Sequence, residues 1–158
     1  MSIKLLVVPV SLGDARTHVK AHHSHLPNVL GGKFAVGVSD GSRIVCVAIA
    51  GRPVARMLGL PNIIEVTRVA SDGTAKNAAS MCLAAITRAA LALGYTRLVS
   101  YTGEHEDGTT YRACGWRRVH LSDGGEWGRT ARDRHPSLWP VRKWRWEYGP
   151  DAMKGGDL

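Results

Sequence analysis

Between Val66 and Tyr95 the chain reads VTRVASDGTAKNAASMCLAAITRAALALGY: a β-branched run, a stretch of small and polar residues, then a long Ala-rich segment. Where a strand hands over to a helix, the first helical turn leaves several backbone N–H groups unpaired, and the helix dipole adds partial positive charge at the same point. Small side chains let a phosphate approach that backbone directly, without a basic side chain. The chemistry on offer is anion binding; an ordinary capped crossover helix is the plainer reading of the same junction. A second group, His22, His23 and His25, stands in HHSH, with Glu104, His105 and Glu106 further along. Its spacing fits neither a helical ligand pair nor a zinc pattern, so polar surface or acceptor contacts are expected and no metal centre. Cys46, Cys82 and Cys114 are odd in number and far apart, which leaves them as buried or half-buried thiols.

The net charge is +8, and it is unevenly placed. From Arg112 to Arg145 there are nine Lys or Arg against three acids, interleaved with Trp116, Trp127, Trp139 and Trp144 and followed by Trp146. Arginines among aromatic rings neutralise phosphates and stack on bases, which makes Arg117, Arg118, Arg129, Arg132, Arg134, Arg142, Lys143 and Arg145 candidates for contact with nucleic acid. A solvated basic face with its tryptophans in the core has the same composition.

The elements that must hold these residues follow from pattern. Residues 3–10 read as a buried strand, and Ser11 with Asp14 three residues on reads as the cap of a short helix to about Ala21. Residues 34–38 and 44–49 form a hairpin across SDGS, and residues 63–69 another strand. From Asn77 to Leu93 the apolar residues recur at three- and four-residue steps and stop at Gly94, a helix with its C-terminal glycine. A strand over 98–101, a short helix over 109–114 and a final strand over 116–121 follow, with Trp144 and Trp146 in a late strand. Helices interleaved with a mixed sheet imply one α/β (α+β) domain over residues 1–150, with an Arg/Trp-rich extension at 122–150 and a flexible tail at 151–158. No apolar run approaches the roughly 20 residues that cross a bilayer, so a cytoplasmic protein is expected.

The segment VASDGTAKNAASMCLAAITRAALALGYTRL resembles the central motif of the GNAT (GCN5-related N-acyltransferase) superfamily: a strand, the turn V-x-P-x-x-R-G-x-G-x-G/A, then a helix ending in LGY. YRACGWRRV is similar to the superfamily's Y-x-x-x-G-F segment. The resemblance implies a GNAT-like mixed sheet flanked by helices and acetyl-CoA as acyl donor. It sets Val69 and Ala70 against the thioester arm, and Thr74, Ala75, Lys76, Asn77, Ala78 and Ala79 around the pyrophosphate. It also implies Glu65 as the base for an amine and Tyr111 as the acid for the departing thiolate. A packing role for Tyr111 and an ion pair of Glu65 with Arg68 are the plainer alternatives. Thr74 replaces the motif's Arg, Ala75 and Asn77 replace glycines, and Ala79 keeps the last Gly/Ala position.

GRPVAR, EVTRVASDGT and YTGEHEDGTTYRACGW further resemble a phage and prokaryotic branch similar to Mom-like DNA-modification proteins. That likeness implies a transferase of the host cytoplasm acting on an exocyclic amine of a DNA base, which must be flipped out of the duplex to react. Two alternatives stand beside it: an acetyl-CoA N-acetyltransferase of a small amine or protein, and a non-catalytic nucleic-acid-binding module.

Overall fold

Residues 44–51, IVCVAIAG, are apolar throughout and buried from Val45 onward, as a strand covered on both faces must be. The computed structural model describes residues 3–22, 31–122 and 142–153. Their elements are β1 (Leu6–Pro9), α1 (Leu12–His22), β2 (Phe34–Ser39), β3 (Ile44–Gly51), a 3-10 turn (Arg56–Leu58), β4 (Ile63–Ser71), α2 (Ala78–Ala92), β5 (Arg97–Gly103), α3 (Thr109–Ala113), β6 (Arg117–Leu121) and β7 (Lys143–Tyr148). The strands form one sheet of order β1-β2-β3-β4-β5-β7-β6, in which only β4 and β5 run parallel. The order of elements and the mixed sheet are those expected of the α/β domain.

Alternation along β3 assigns its two faces. Cys46, Ala48 and Ala50 meet Cys82, Leu83, Ile86 and Ala90 of α2, and Val47 and Ile49 meet Ala15 and Val19 of α1 on the other side. Leu83 and Ile86 are wholly buried, and truncating either to alanine costs about 2–5 kcal/mol. The cap of α1 forms as expected, with the Asp14 N–H donating to Ser11 Oγ at 3.1 Å.

One expectation is corrected. The buried strand over residues 3–10 is a four-residue edge strand with Leu6 and Val7 exposed, because an edge strand has one neighbour and no helix over its outer side. The late strand expected at Trp144 and Trp146 is β7, which returns between β5 and β6 and leaves β6 at the rim. Residues 151–153 are tied to the sheet. Asp151 accepts a hydrogen bond from Thr96 Oγ1 at 2.6 Å, and the Met153 N–H donates to Glu147 at 3.0 Å.

The parting of β4 from β5 is what positions a site. The two strands pair over three rungs only, Ile63 with Arg97, Ile64 with Leu98 and Glu65 with Val99. Beyond these, β4 stays on β3 as far as Ser71, while β5 stays on β7 as far as Gly103. A bulge at Thr67 shifts the β3–β4 register between Ile49–Arg68 and Ala50–Val66, and a bulge bends the strand that carries it. A V-shaped cleft opens toward the N-terminus of α2.

Candidate active site

At the vertex of the cleft the first unpaired carbonyl of β4, that of Val66, accepts from Ser100 Oγ at 2.7 Å. Ser100 Oγ is also 2.7 Å from the Tyr111 hydroxyl. Tyr111 reaches the vertex from α3, stacked on Trp146 and edge-on to Trp116 with ring centroids 5.5 Å away in each case. Gly108, in the left-handed region at φ 69°, starts α3; a Cβ there would run into the Trp146 ring, so this approach needs glycine. Burial pushes the Tyr111 phenol up to about 12, partly offset by its bond to Ser100.

Glu65 lies on the opposite face. It pairs with Val99, and the next residue, Ser100, points the other way. The carboxylate is 7 % exposed and accepts the Val54 N–H at 2.9 Å. Burial raises its pKa above the ordinary value, opposed by the Val54 N–H and by the charges of Arg68 and Lys143. Tyr101 shares this face, its phenol also raised by burial and by the charge of Glu65. A carboxylate and a phenol thus flank one cleft from its two sides, the arrangement in which one group takes a proton from an incoming amine while the other steadies a leaving group. The positive charge of Arg68 favours the ionised form of Glu65.

The loop from Ser71 to Asn77 closes the mouth. Asp72 accepts from the Thr74 N–H at 2.9 Å and from Thr74 Oγ1 at 2.6 Å, and Arg43 Nη2 lies 3.4 Å from Asp72 Oδ2. Burial works against the Asp72 charge, but the Thr74 bonds and Arg43 outweigh it and hold its pKa below the usual range. Asn77 takes the left-handed conformation at φ 67°, which asparagine tolerates better than most residues, and it makes no side-chain cap. Among the described residues, the N–H groups of Ala75, Lys76, Asn77, Ala79 and Ser80 have no protein acceptor. Ala75 and Ala79, one in place of a motif glycine, pack against the core under α2, so their methyls do not fill the cradle. These residues therefore fit a pyrophosphate. A depression of about 270 Å³ borders the loop, lined by Ile3, Leu5, Thr74, Ala75 and Lys76; it takes no wall from β5 and is separate from the cleft.

Val69 and Ala70 sit on β4 past the vertex, and Ala70 is buried beneath α1, so its backbone and not its side chain borders the cleft. Among the basic residues, Arg117, Arg118 and Lys143 are exposed, and Arg118 lies 4.0 Å over the Trp144 ring. Arg142 pairs with Glu104 at 3.3 Å. The Arg145 guanidinium is bound to Glu147 at 2.9 Å, beside the Arg97–Glu147 pair at 2.6 Å. Trp116 and Trp146 are core residues whose ring N–H groups bond to Thr87 and Thr102, so base stacking does not explain them. Arg129, Arg132, Arg134, Trp127, Trp139, His23 and His25 lie outside the described residues. His22 is exposed, its ring 4.5 Å from that of His18. Among the described residues no three His, Cys, Asp or Glu side chains gather as a metal set. Sequence reasoning missed Ser100 and Arg43. The one cue to Ser100 is a lone small hydroxyl between Val99 and Tyr101.

No family model matches the chain, and no curated protein does. Solved structures do. A Bacillus subtilis acetyltransferase in complex with CoA superposes with a TM-score of 0.65 over 92 % of this chain and 97 % of its own, at 11 % identity. The ribosomal-protein-S18-alanine N-acetyltransferase of Escherichia coli gives 0.67 over 98 % and 99 %, again at 11 % identity. A polyamine N-acetyltransferase of Drosophila melanogaster gives 0.65 over 92 % and 100 %, also at 11 %. With its strands parted at β4 and β5 and its loop opening α2, this chain has the GNAT acetyltransferase fold.

Proposed function

We propose that this protein is an N-acyltransferase that takes its acyl group from acetyl-CoA. The observation that carries the reading is the cleft between β4 and β5 with five unpaired amides at its mouth, from Ala75 to Ser80. Bound there, acetyl-CoA supplies an activated thioester. The amides of the loop hold its pyrophosphate, aided by the α2 dipole. The open β4 edge from Val66 to Ser71 orients an extended arm by strand-like hydrogen bonds. Glu65, its pKa raised by burial toward the range of a general base, takes a proton from the acceptor amine, directly or through water. Tyr111 supports the sulfur. A phenol near 12 does not surrender its proton to a thiolate whose thiol has a pKa of about 8.5, so its part is to donate a hydrogen bond as charge develops. Incubation with acetyl-CoA and a panel of amines tests the reading: acetylated product in the wild type supports it, and none with any amine, nucleic acid included, overturns it.

The acceptor is a finer matter. The B. subtilis, E. coli and Drosophila neighbours share the fold while two of them are named for different acceptors, a ribosomal protein and a polyamine. For this chain a DNA base is favoured by one observation, the cationic rim of β6 and β7 where Arg117, Arg118 and Lys143 are exposed, on a chain of net charge +8. Such a rim neutralises phosphates and repels a polyamine. A Mom-like modification of an exocyclic base amine is the form this reading takes. Mass spectrometry of nucleosides from the DNA of an expressing host decides it: a new adenine or cytosine derivative supports a DNA acceptor. An unmodified pool, alongside acetylation of a small amine or protein in vitro, assigns the protein to the conventional acetyltransferases. Salt-sensitive DNA binding with neither product leaves the non-catalytic module.

A further inference from the structure

The vertex hydrogen bonds leave one proton arrangement. The Val66 carbonyl can only accept, and Ser100 has a single hydroxyl proton, so the 2.7 Å contact between them requires Ser100 to donate to Val66. Ser100 Oγ is then the acceptor for Tyr111, also at 2.7 Å. The chain runs from Tyr111 to Ser100 to the Val66 carbonyl, and the phenol proton is turned away from the cleft. Ser100 is 2 % exposed, so no bulk water competes for these bonds. Val66 is also the first β4 residue without a strand partner toward β5, the rung an extended ligand amide takes when it adds to that edge.

We propose that Ser100 is a positioning residue that sets which way the Tyr111 hydroxyl points, and that seating a donor reverses it. An amide N–H that takes over the Val66 lone pair now used by Ser100 frees the Ser100 proton, which turns to the Tyr111 oxygen. The Tyr111 proton then turns into the cleft, toward the sulfur. No covalent bond changes in this step; two hydroxyls rotate. In the transfer that follows, the N–C bond forms as the C–S bond breaks, the bonding pair goes to sulfur, and the amine proton leaves through Glu65. Placing the hydrogen bond for the sulfur thus waits on the acyl donor. The inference rests on the acyl-transfer reading.

The test is thiol release from acetyl-CoA with water as acceptor, in wild type, Ser100→Ala, Ser100→Cys, Tyr111→Phe and Ser100→Ala/Tyr111→Phe. Cysteine keeps the size of serine with a weak donor and acceptor, so it guards against a fold defect from the bare alanine. The expected result is a fall in kcat of about tenfold for Ser100→Ala with KM nearly unchanged, a smaller fall for Ser100→Cys, and a double variant no slower than Tyr111→Phe alone. With the acetyl thioester of 4-nitrothiophenol, whose thiolate needs little support, the Ser100→Ala defect shrinks toward onefold. Costs that add in the double variant, or that stay the same for both thioesters, overturn the proposal and leave Ser100 a packing residue. A second measurement needs no turnover: the Tyr111 hydroxyl proton exchanges slowly in wild type by NMR and fast in Ser100→Ala. Equal exchange in the two overturns the proposed hold of Ser100 on Tyr111. A wild type that neither binds nor turns over acetyl-CoA, yet shows that difference in exchange, refutes the acyl-transfer reading while keeping this hydrogen-bond chain.

Discussion

Glu65 carries a testable sign. Its folded pKa lies above the ordinary 4.5, so the folded state binds this proton more tightly than the unfolded chain does. Its contribution to stability is therefore greatest at low pH and declines as pH rises through the raised value. Glu65→Gln removes that decline while keeping an acceptor for the Val54 N–H. Thermal melts from about pH 4 to about pH 8 should show the variant gaining on wild type as pH rises. Turnover should fall about 10²- to 10³-fold, and wild-type kcat/KM should climb with pH through the Glu65 pKa. Full activity in the glutamine variant would dismiss Glu65 as base. For Tyr111→Phe we expect kcat down about ten- to a hundredfold with a stability loss near 1 kcal/mol, since Ser100 keeps its bond to Val66; unchanged kcat would end the role of the phenol. At this scale the sequence was partly legible. Glu65 and Tyr111 stood in a motif, whereas Ser100 and Arg43 meet partners such as Val66 and Thr74, 34 and 31 residues away in the chain, contacts that no local pattern records.

The loop and helix that follow β4 were the most legible element, because a helical stripe and its glycine stop are local facts. What the pattern hid was how the loop does without its glycines: Ala75 and Ala79 turn their methyls into the core, and Asn77 accepts the left-handed backbone. Asn77→Asp keeps that tolerance and puts a negative charge among the open amides. CoA affinity should fall about tenfold or more, with a melting temperature within a few degrees of wild type, as calorimetry and thermal melts would show. Affinity unchanged by the new charge would mean that the pyrophosphate sits elsewhere. The edge strand β1 was the least legible, since an apolar run looks the same whether a sheet covers it on both sides or one.

At the scale of the whole molecule, the late strand β7 joins the basic C-terminal third to the core. Glu147 is the fixed point: its side chain is wholly buried and holds Arg97, Arg145 and the Met153 N–H. Glu147→Ala strands two partly buried guanidiniums and should cost about 3–5 kcal/mol in denaturant unfolding; a loss under about 1 kcal/mol would show that β7 is held by other means. Net charge and its bias were plain in the sequence, but which cations serve packing and which face solvent depended on the strand order, and Arg145 fell on the packing side. The account stands on the cleft and the loop at its mouth capturing the donor. Isothermal titration of the wild-type chain with CoA tests it most directly. We expect one-to-one binding with a Kd in about the micromolar range, weakened by Asn77→Asp. A folded wild type that binds no CoA at millimolar concentration would contradict it.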